Sequence, residues 1–241
     1  MRHPVHFIPI ATTIFAVIFA AMVYRRYQQK RGLHLLWWAG GILIYGVGTL
    51  TEAMTTLLGW QEWIFRAWYI SGALMGGAPL AQGTVYLLMK RKTADRLTIA
   101  LVATIATAAV FALLTPIRYD LVEPYRLSGK VMEWQWVRLF SPFINIYAFI
   151  FLVGGAVYSA YRFKKSPKTH YRYVGNVFIA IGALLPGIGG TATRFGYVEV
   201  LYITEFVGLS LIFLGYRIIT GRKTGAAVDI ETAQVVGKPV A

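Results

Sequence analysis

Seven stretches of the chain are each long and apolar enough to cross a lipid bilayer, near residues 8–24, 33–58, 63–89, 97–115, 141–161, 173–193 and 199–219. A helix needs roughly 20 apolar residues to span about 30 Å of hydrocarbon, so this repetition constrains the fold more than any motif. Of the 241 residues, 57% are hydrophobic and only 14% are charged, the reverse of the charge-rich surface a water-soluble domain requires. The segments are apolar all round and do not alternate in polarity, which excludes a transmembrane β-barrel. The expected fold is an all-α, integral membrane bundle of seven transmembrane helices over residues 1–220, with an outer loop at 116–139 and a flexible cytoplasmic tail at 221–241.

The opening "MRHPVHFIPIATTIFAVIFAAMVYRRY" has the outline of a signal peptide, but its apolar run is long and ends in Arg25 and Arg26 with no small-residue cleavage site. It is expected to stay as the first helix. The chain has no cysteine, which removes disulfides, thiolate chemistry and cysteine-held metal clusters together.

A net charge of +14 invites a nucleic-acid reading, but its distribution speaks against one. Seventeen of the twenty-four basic residues fall in "YRRYQQKRG", "KRKTADR", "YRFKKSPKTHYR" and the stretch from Arg217 onward. These regions alternate with sparsely basic ones, as expected for seven crossings with the amino terminus outside and the carboxyl terminus in the cytoplasm of a bacterial plasma (inner) membrane. On the outer side Arg2, Arg118, Arg126, Lys130, Arg138 and Arg194 are offset by Glu62, Asp120, Glu123, Glu133 and Glu199. Topology alone explains the basic clusters; a functional use would be attraction of an anionic partner or of anionic headgroups. Trp37, Trp38, Trp60, Trp63, Trp68, Trp134 and Trp136 crowd the ends of spans, where amphipathic rings meet headgroups.

Helices in lipid gain nothing from hydrophobic burial against each other, so they pack through small residues. Gly72 and Gly76 form a GxxxG, with further small surfaces at Gly40, Gly41, Gly46, Gly48, Gly154, Gly155, Gly182, Gly187, Gly189 and Gly190. These serve internal packing, contacts with other membrane proteins, or a homo-oligomer. Pro79 in "GGAPLAQG" and Pro186 in "LLPGIGG" are expected to break the third and sixth spans, at corresponding places of an inverted repeat. Ordinary proline kinks are the alternative. The loop "PIRYDLVEPYRLSGKVMEWQWVRL" is long enough to lie across the outer face as a lid, a docking surface or an ordered cap.

The stretch "EAMTTLLGWQEWIFR" begins with Glu52 and ends with Arg66 on either side of the second turn. Glu52 lies about six residues, or roughly 9 Å, below the outer end of its helix. Arg66 and Glu205 fall at similar depth. An unpaired charge there costs a few kcal/mol, so Arg66 is expected to bridge one or both glutamates. Tyr45, Thr49, Glu52 and Thr56 form a polar stripe on the second helix, and Tyr202 lies one turn from Glu205. This layer reads either as an outward-facing pocket for a small ligand, lipid headgroup or ion, or as a structural clamp.

Other chemistries lose support by absence. Every lysine lies in a loop, a helix end or the tail, so no retinal Schiff-base position exists. His3, His6, His34 and His170 lie at or beyond helix ends, leaving no mid-membrane haem ligands and no metal site beyond a weak "HPVH". No HExxH, GxSxG or P-loop appears, and no predicted span holds an aspartate. No catalytic residue, cofactor, metal or nucleic-acid partner is therefore expected.

The segment "GNVFIAIGALLPGIGGTATRFGYVEVLYITEFVGLSLIFLGYRII" resembles the closing helix pair of the seven-transmembrane sensor region that precedes the kinase or cyclase domain of many bacterial signalling proteins. "FRAWYISGALMGGAPLAQGTVYLLM" is similar to that region's third helix. The resemblance implies a seven-helix sensor with its amino terminus outside. No output domain follows Tyr216 and Arg217, so a signal is expected to pass to a separate partner at the basic face. Gly59, Trp60, Phe65, Arg66, Trp68, Tyr69 and Gly72 also match a "GW…FR.YY..G" pattern of other bacterial seven-helix proteins, which implies no activity. Three functions follow in order: a non-enzymatic sensory or receptor-like module, an accessory or scaffold subunit of a larger membrane complex, and a small transporter built on the proline breaks.

Overall fold

The computed structural model of the chain describes the backbone of residues 4–236 and the side chains of residues 4–221. The helices are α1 (Ile8–Lys30), α2 (Leu33–Leu58), α3 (Glu62–Trp68), α4 (Ala78–Leu88), α5 (Arg91–Leu114), α6 (Phe140–Ala148), α7 (Gly154–Phe163), α8 (His170–Ala192) and α9 (Val198–Val236). A π-helical turn, Phe149–Val153, joins α6 to α7 in one rod. No strand occurs among the described residues. Six helical stretches are long and apolar enough to cross a membrane: Pro4–Lys30, Leu33–Leu58, Arg91–Leu114, Gln135–Phe163, Pro167–Phe195 and Val198–Gly221. Such an architecture is consistent with a multi-pass membrane protein.

The remaining apolar stretch, expected as one span over 63–89, is built in pieces. After α3 comes a π-helical turn, Tyr69–Leu74, then a bend at Met75–Gly77, then α4. Pro79 explains the bend: it has no N–H to donate one turn back and its ring would strike the carbonyl there, so it sits in the first turn of a new helix. Pro186 behaves differently from expectation. It lies inside α8, which runs unbroken from His170 to Ala192. The carbonyl it frees belongs to Gly182, and the face of Gly208 on α9 lies against that oxygen. Tight contact with a neighbouring helix is how an internal proline is accommodated.

α1 lies along α2, α8 along α9, and α1 also meets α9. Glycine permits the closest of these approaches. A Cβ on Gly182 would stand 2.5 Å from the carbonyl oxygen of Gly208 and 2.9 Å from the amide nitrogen of Ile212. Gly175 repeats the arrangement one heptad earlier against Gly215. On α2, Gly46 faces Ala16 of α1, and Gly48 faces Gly72 of the broken segment. Gly72, from the GxxxG, therefore serves an internal contact. Gly187 and Gly190 meet nothing within 4 Å.

The loop at 116–139 is folded into a cap over one end of the bundle. Val131, Met132 and Val137 are fully buried against Phe65, Tyr69 and Ala112. The Trp60 amide donates to the Pro124 carbonyl at 2.7 Å, and Arg126 Nη2 donates to the Thr193 carbonyl at 2.7 Å, tying the loop to both neighbouring turns. The stretch expected as a flexible tail, 221–241, is helical as far as Val236, and the rest of it lies outside the described residues.

Gly182→Ala is expected to lose about 1–3 kcal/mol, because the added methyl meets backbone that cannot step aside. Gly187→Ala, with open space around it, is expected to be neutral or stabilising by up to about 1 kcal/mol. Denaturant unfolding in detergent micelles measures both; equal effects would show that α8 and α9 do not meet on this face.

Candidate functional site

Polar groups inside this bundle fall into two kinds. The first is fully partnered. Gln82, wholly buried on α4, donates from Nε2 to the Ala94 carbonyl at 3.1 Å and to Thr98 Oγ1 at 2.7 Å, and accepts from the Tyr147 hydroxyl. Thr98 donates to the Tyr86 hydroxyl at 3.0 Å, which donates to Asp95 Oδ1 at 2.8 Å. Every acceptor and donor finds a mate, which is the mark of a structural network. A single Gln in an apolar stretch was the only sequence signal for it, and sequence reasoning passed over it.

The second kind is a pair of acids without a counter-cation. Glu52 of α2 is 4% exposed; Trp68 Nε1 donates to its Oε1 at 3.1 Å, while its Oε2 is buried without a partner. Glu205 of α9 likewise keeps a buried, partnerless Oε2. The two carboxyls lie within hydrogen-bonding reach of each other. Tyr45 donates to the backbone carbonyl of Glu205 at 3.1 Å, and Tyr202 is buried, one turn before Glu205. Four of the five residues expected in the layer thus converge: Glu52, Glu205, Tyr45 and Tyr202.

Arg66 is the exception, and the expected bridge to the glutamates is not formed. Its Nε donates to Glu62 Oε1 at 2.8 Å, Nη1 to the Ala112 carbonyl at 2.6 Å and Nη2 to the Thr115 carbonyl at 2.9 Å. The reason is local. Glu62 stands one helical turn before Arg66, and the carbonyls at the end of α5 lack intrahelical donors and attract a cation. The i,i+4 pair was visible in the sequence. Trp68, two residues on, faces Glu52 instead.

Above the carboxyls is a small cavity of about 20 Å³, lined by Glu52, Trp68, Tyr202, Leu127 and Thr193 among others. A site of that size and polarity holds one water-sized group. Leu127 belongs to the 116–139 loop and Thr193 to the α8–α9 turn, so the cavity lies beneath the cap. At the same end His6 Nε2 is 3.4 Å from Glu199 Oε1, and its ring meets Tyr202 edge-on at 6.0 Å.

Neither Glu52 nor Glu205 forms a salt bridge among the described residues. Two buried carboxylates in contact with no counter-charge repel strongly, so the pair holds at least one proton between them. Chemically it is a hydrogen-bond acceptor and proton holder. Among the described residues no cluster of three or more His, Asp or Glu side chains is placed to hold a metal ion. No known protein family and no curated protein matches the sequence.

Arg66→Ala is expected to destabilise the fold by about 2–3 kcal/mol, since it strips charged donors from two helix-end carbonyls. Arg66→Lys, which keeps the charge but not the fork, is expected to lose less, and Glu62→Gln less than about 1 kcal/mol. Glu62 has a pH signature as well. The Tyr119 hydroxyl, donating at 2.6 Å, and then Arg66 hold its carboxyl below the ordinary glutamate range. A depressed folded-state value stabilises at neutral pH, and this contribution disappears as pH falls through that value. Thermal unfolding of the variants between neutral and acidic pH measures this; indifference of stability to both Arg66 substitutions would remove the capping role.

Proposed function

We propose that the chain is a non-enzymatic, multi-pass protein of a bacterial plasma membrane that crosses it seven times, the segment from α3 to α4 forming the third crossing. Its amino terminus lies outside and its carboxyl terminus in the cytoplasm. Six long apolar helices and the one-sided placement of lysine and arginine support this. Its activity, in our reading, is sensory: a small hydrogen-bond-donating group, such as an ammonium or hydroxyl, enters from the outer side and settles on the Glu52–Glu205 pair.

One observation carries the proposal. Two carboxyls meet inside the bundle with no counter-cation among the described residues, and Glu52 borders a cavity that fits one such group. Glu205 also sits on α9, which continues toward the basic face, so a change at the carboxyls bears on the helix nearest a cytoplasmic partner. An inverted-repeat transporter has less support, because α8 passes through Pro186 without a break.

Infrared spectroscopy of nanodisc-embedded protein tests this reading. At neutral pH a carboxylic-acid C=O stretch is expected, absent from the Glu52→Gln/Glu205→Gln double variant. It should shift promptly in D₂O and change when ammonium or methylammonium is added. A band that neither exchanges nor responds would mark a sealed structural pair and end the receptor reading.

A further inference from the structure

A second cavity lies at the opposite end from the glutamates. The last turns of α1 and the part of α9 beside them enclose about 450 Å³, lined by Arg25, Arg26, Gln29, Tyr216, Arg217 and Thr220 among others. Among the described residues no carboxylate lines it and none of its three arginines is in a salt bridge. The Arg26 guanidinium lies 5.8 Å from the centroid of the Tyr216 ring, which holds it at the cleft wall. A general excess of positive charge on one face explains basic residues there. It does not explain three guanidiniums gathered from two helices around one concavity.

We propose that this cleft binds the phosphate of an anionic phospholipid. Guanidinium forks match phosphate oxygens in pairs, and Gln29 and Thr220 add neutral donors. Two apolar tracks favour a lipid over a free anion. On α1, Ile14 and Ile18 lie on the face that continues to Met22 and Arg25 and are 58% and 54% exposed. On α9, Val207 and Leu214 stand one heptad apart, Leu214 one turn from Arg217, and are 41% and 46% exposed. Acyl chains laid along these tracks would leave the headgroup at the arginines. The proposal is independent of the carboxyl site.

The test uses the full chain in a neutral detergent, titrated with dihexanoyl phosphatidylglycerol, dihexanoyl phosphatidylcholine or inorganic phosphate, with thermal unfolding and native mass spectrometry as readouts. Phosphatidylglycerol is expected to bind saturably and raise the unfolding temperature, with the other two at least about tenfold weaker. The Arg25→Gln/Arg26→Gln/Arg217→Gln variant should lose about tenfold or more in affinity, while Arg162→Gln/Lys164→Gln/Lys165→Gln, with the same charge removed elsewhere, should not. Equal loss in both variants would show a diffuse charge effect and overturn the site. Phosphate binding as tightly as the lipid would overturn the lipid assignment. Should the triple variant not fold, Arg217→Gln set against Arg217→Lys decides: partial retention by lysine and loss by glutamine supports the cleft, and indifference to both overturns it.

Discussion

Close backbone contact between helices is what the rest of this structure depends on. In an apolar medium, side chains gain little by leaving their surroundings for one another, so attraction comes from dispersion at short range and from the few polar contacts available. Gly182 and Gly175 of α8 against Gly208 and Gly215 of α9, and Gly48 of α2 against Gly72, bring backbones nearly to touching. Those contacts seat α9 on α8 and α2 on the broken segment, and α1, which packs on both α2 and α9, completes the frame. The meeting of Glu52 with Glu205 follows from helix placement, and no attraction between the two carboxyls is needed.

That distinction sharpens the meaning of the pair. Polar residues elsewhere in the bundle bond locally: Thr12, Thr51 and Thr55 each donate to a carbonyl three or four residues back, and Thr13 and Thr49 bond each other at 2.9 Å. Such bonds let a hydroxyl sit in an apolar bundle at little penalty. The glutamates have no such option, because a carboxylate offers only acceptors and the carbonyls of its own turn accept as well. Two acids brought together by helix packing are a constraint imposed on the chemistry by the fold. This is the usual physical form of a functional site.

Much of this was legible in the sequence, and the failures have physical causes. The long apolar stretches could be read because length and composition alone decide them. The convergence of Glu52, Glu205, Tyr45 and Tyr202 could be read from depth, since position along a helix is fixed by residue count. Which way Arg66 turns could not, because depth carries no azimuth; the nearby Glu62 and the open carbonyls of α5 outbid the distant glutamates. Pro186 was read as a break because a proline's local chemistry is visible while the neighbour that accommodates it, Gly208, is not. The heptad spacing of Gly175 and Gly182, matched by Gly208 and Gly215, was present in the sequence, but it marks an interface only once the two helices are known to run side by side.

The two candidate sites are linked by one helix. Glu205 and Arg217 both lie on α9, twelve residues or roughly 18 Å apart along an unbroken rod. The α8–α9 contact is interlocked backbone to backbone and resists sliding. The α1–α9 contact is of another kind, made by rings: Phe15 against Phe206 and Phe213, and Phe19 against Phe213 and Tyr216, with centroids 5.2–6.3 Å apart. Aromatic rings tolerate small shifts that glycine contacts do not, since offset and tilted arrangements differ little in energy. If occupancy of the carboxyls moves anything, the α8–α9 pair moves as a unit against α1. The basic cleft lies across that same seam, with Arg25 and Arg26 on one side and Arg217 on the other. A phosphate held there would bridge the joint, so a lipid at the cleft and a ligand at the carboxyls would act on one mechanical coordinate and each would change the other's affinity by the same factor.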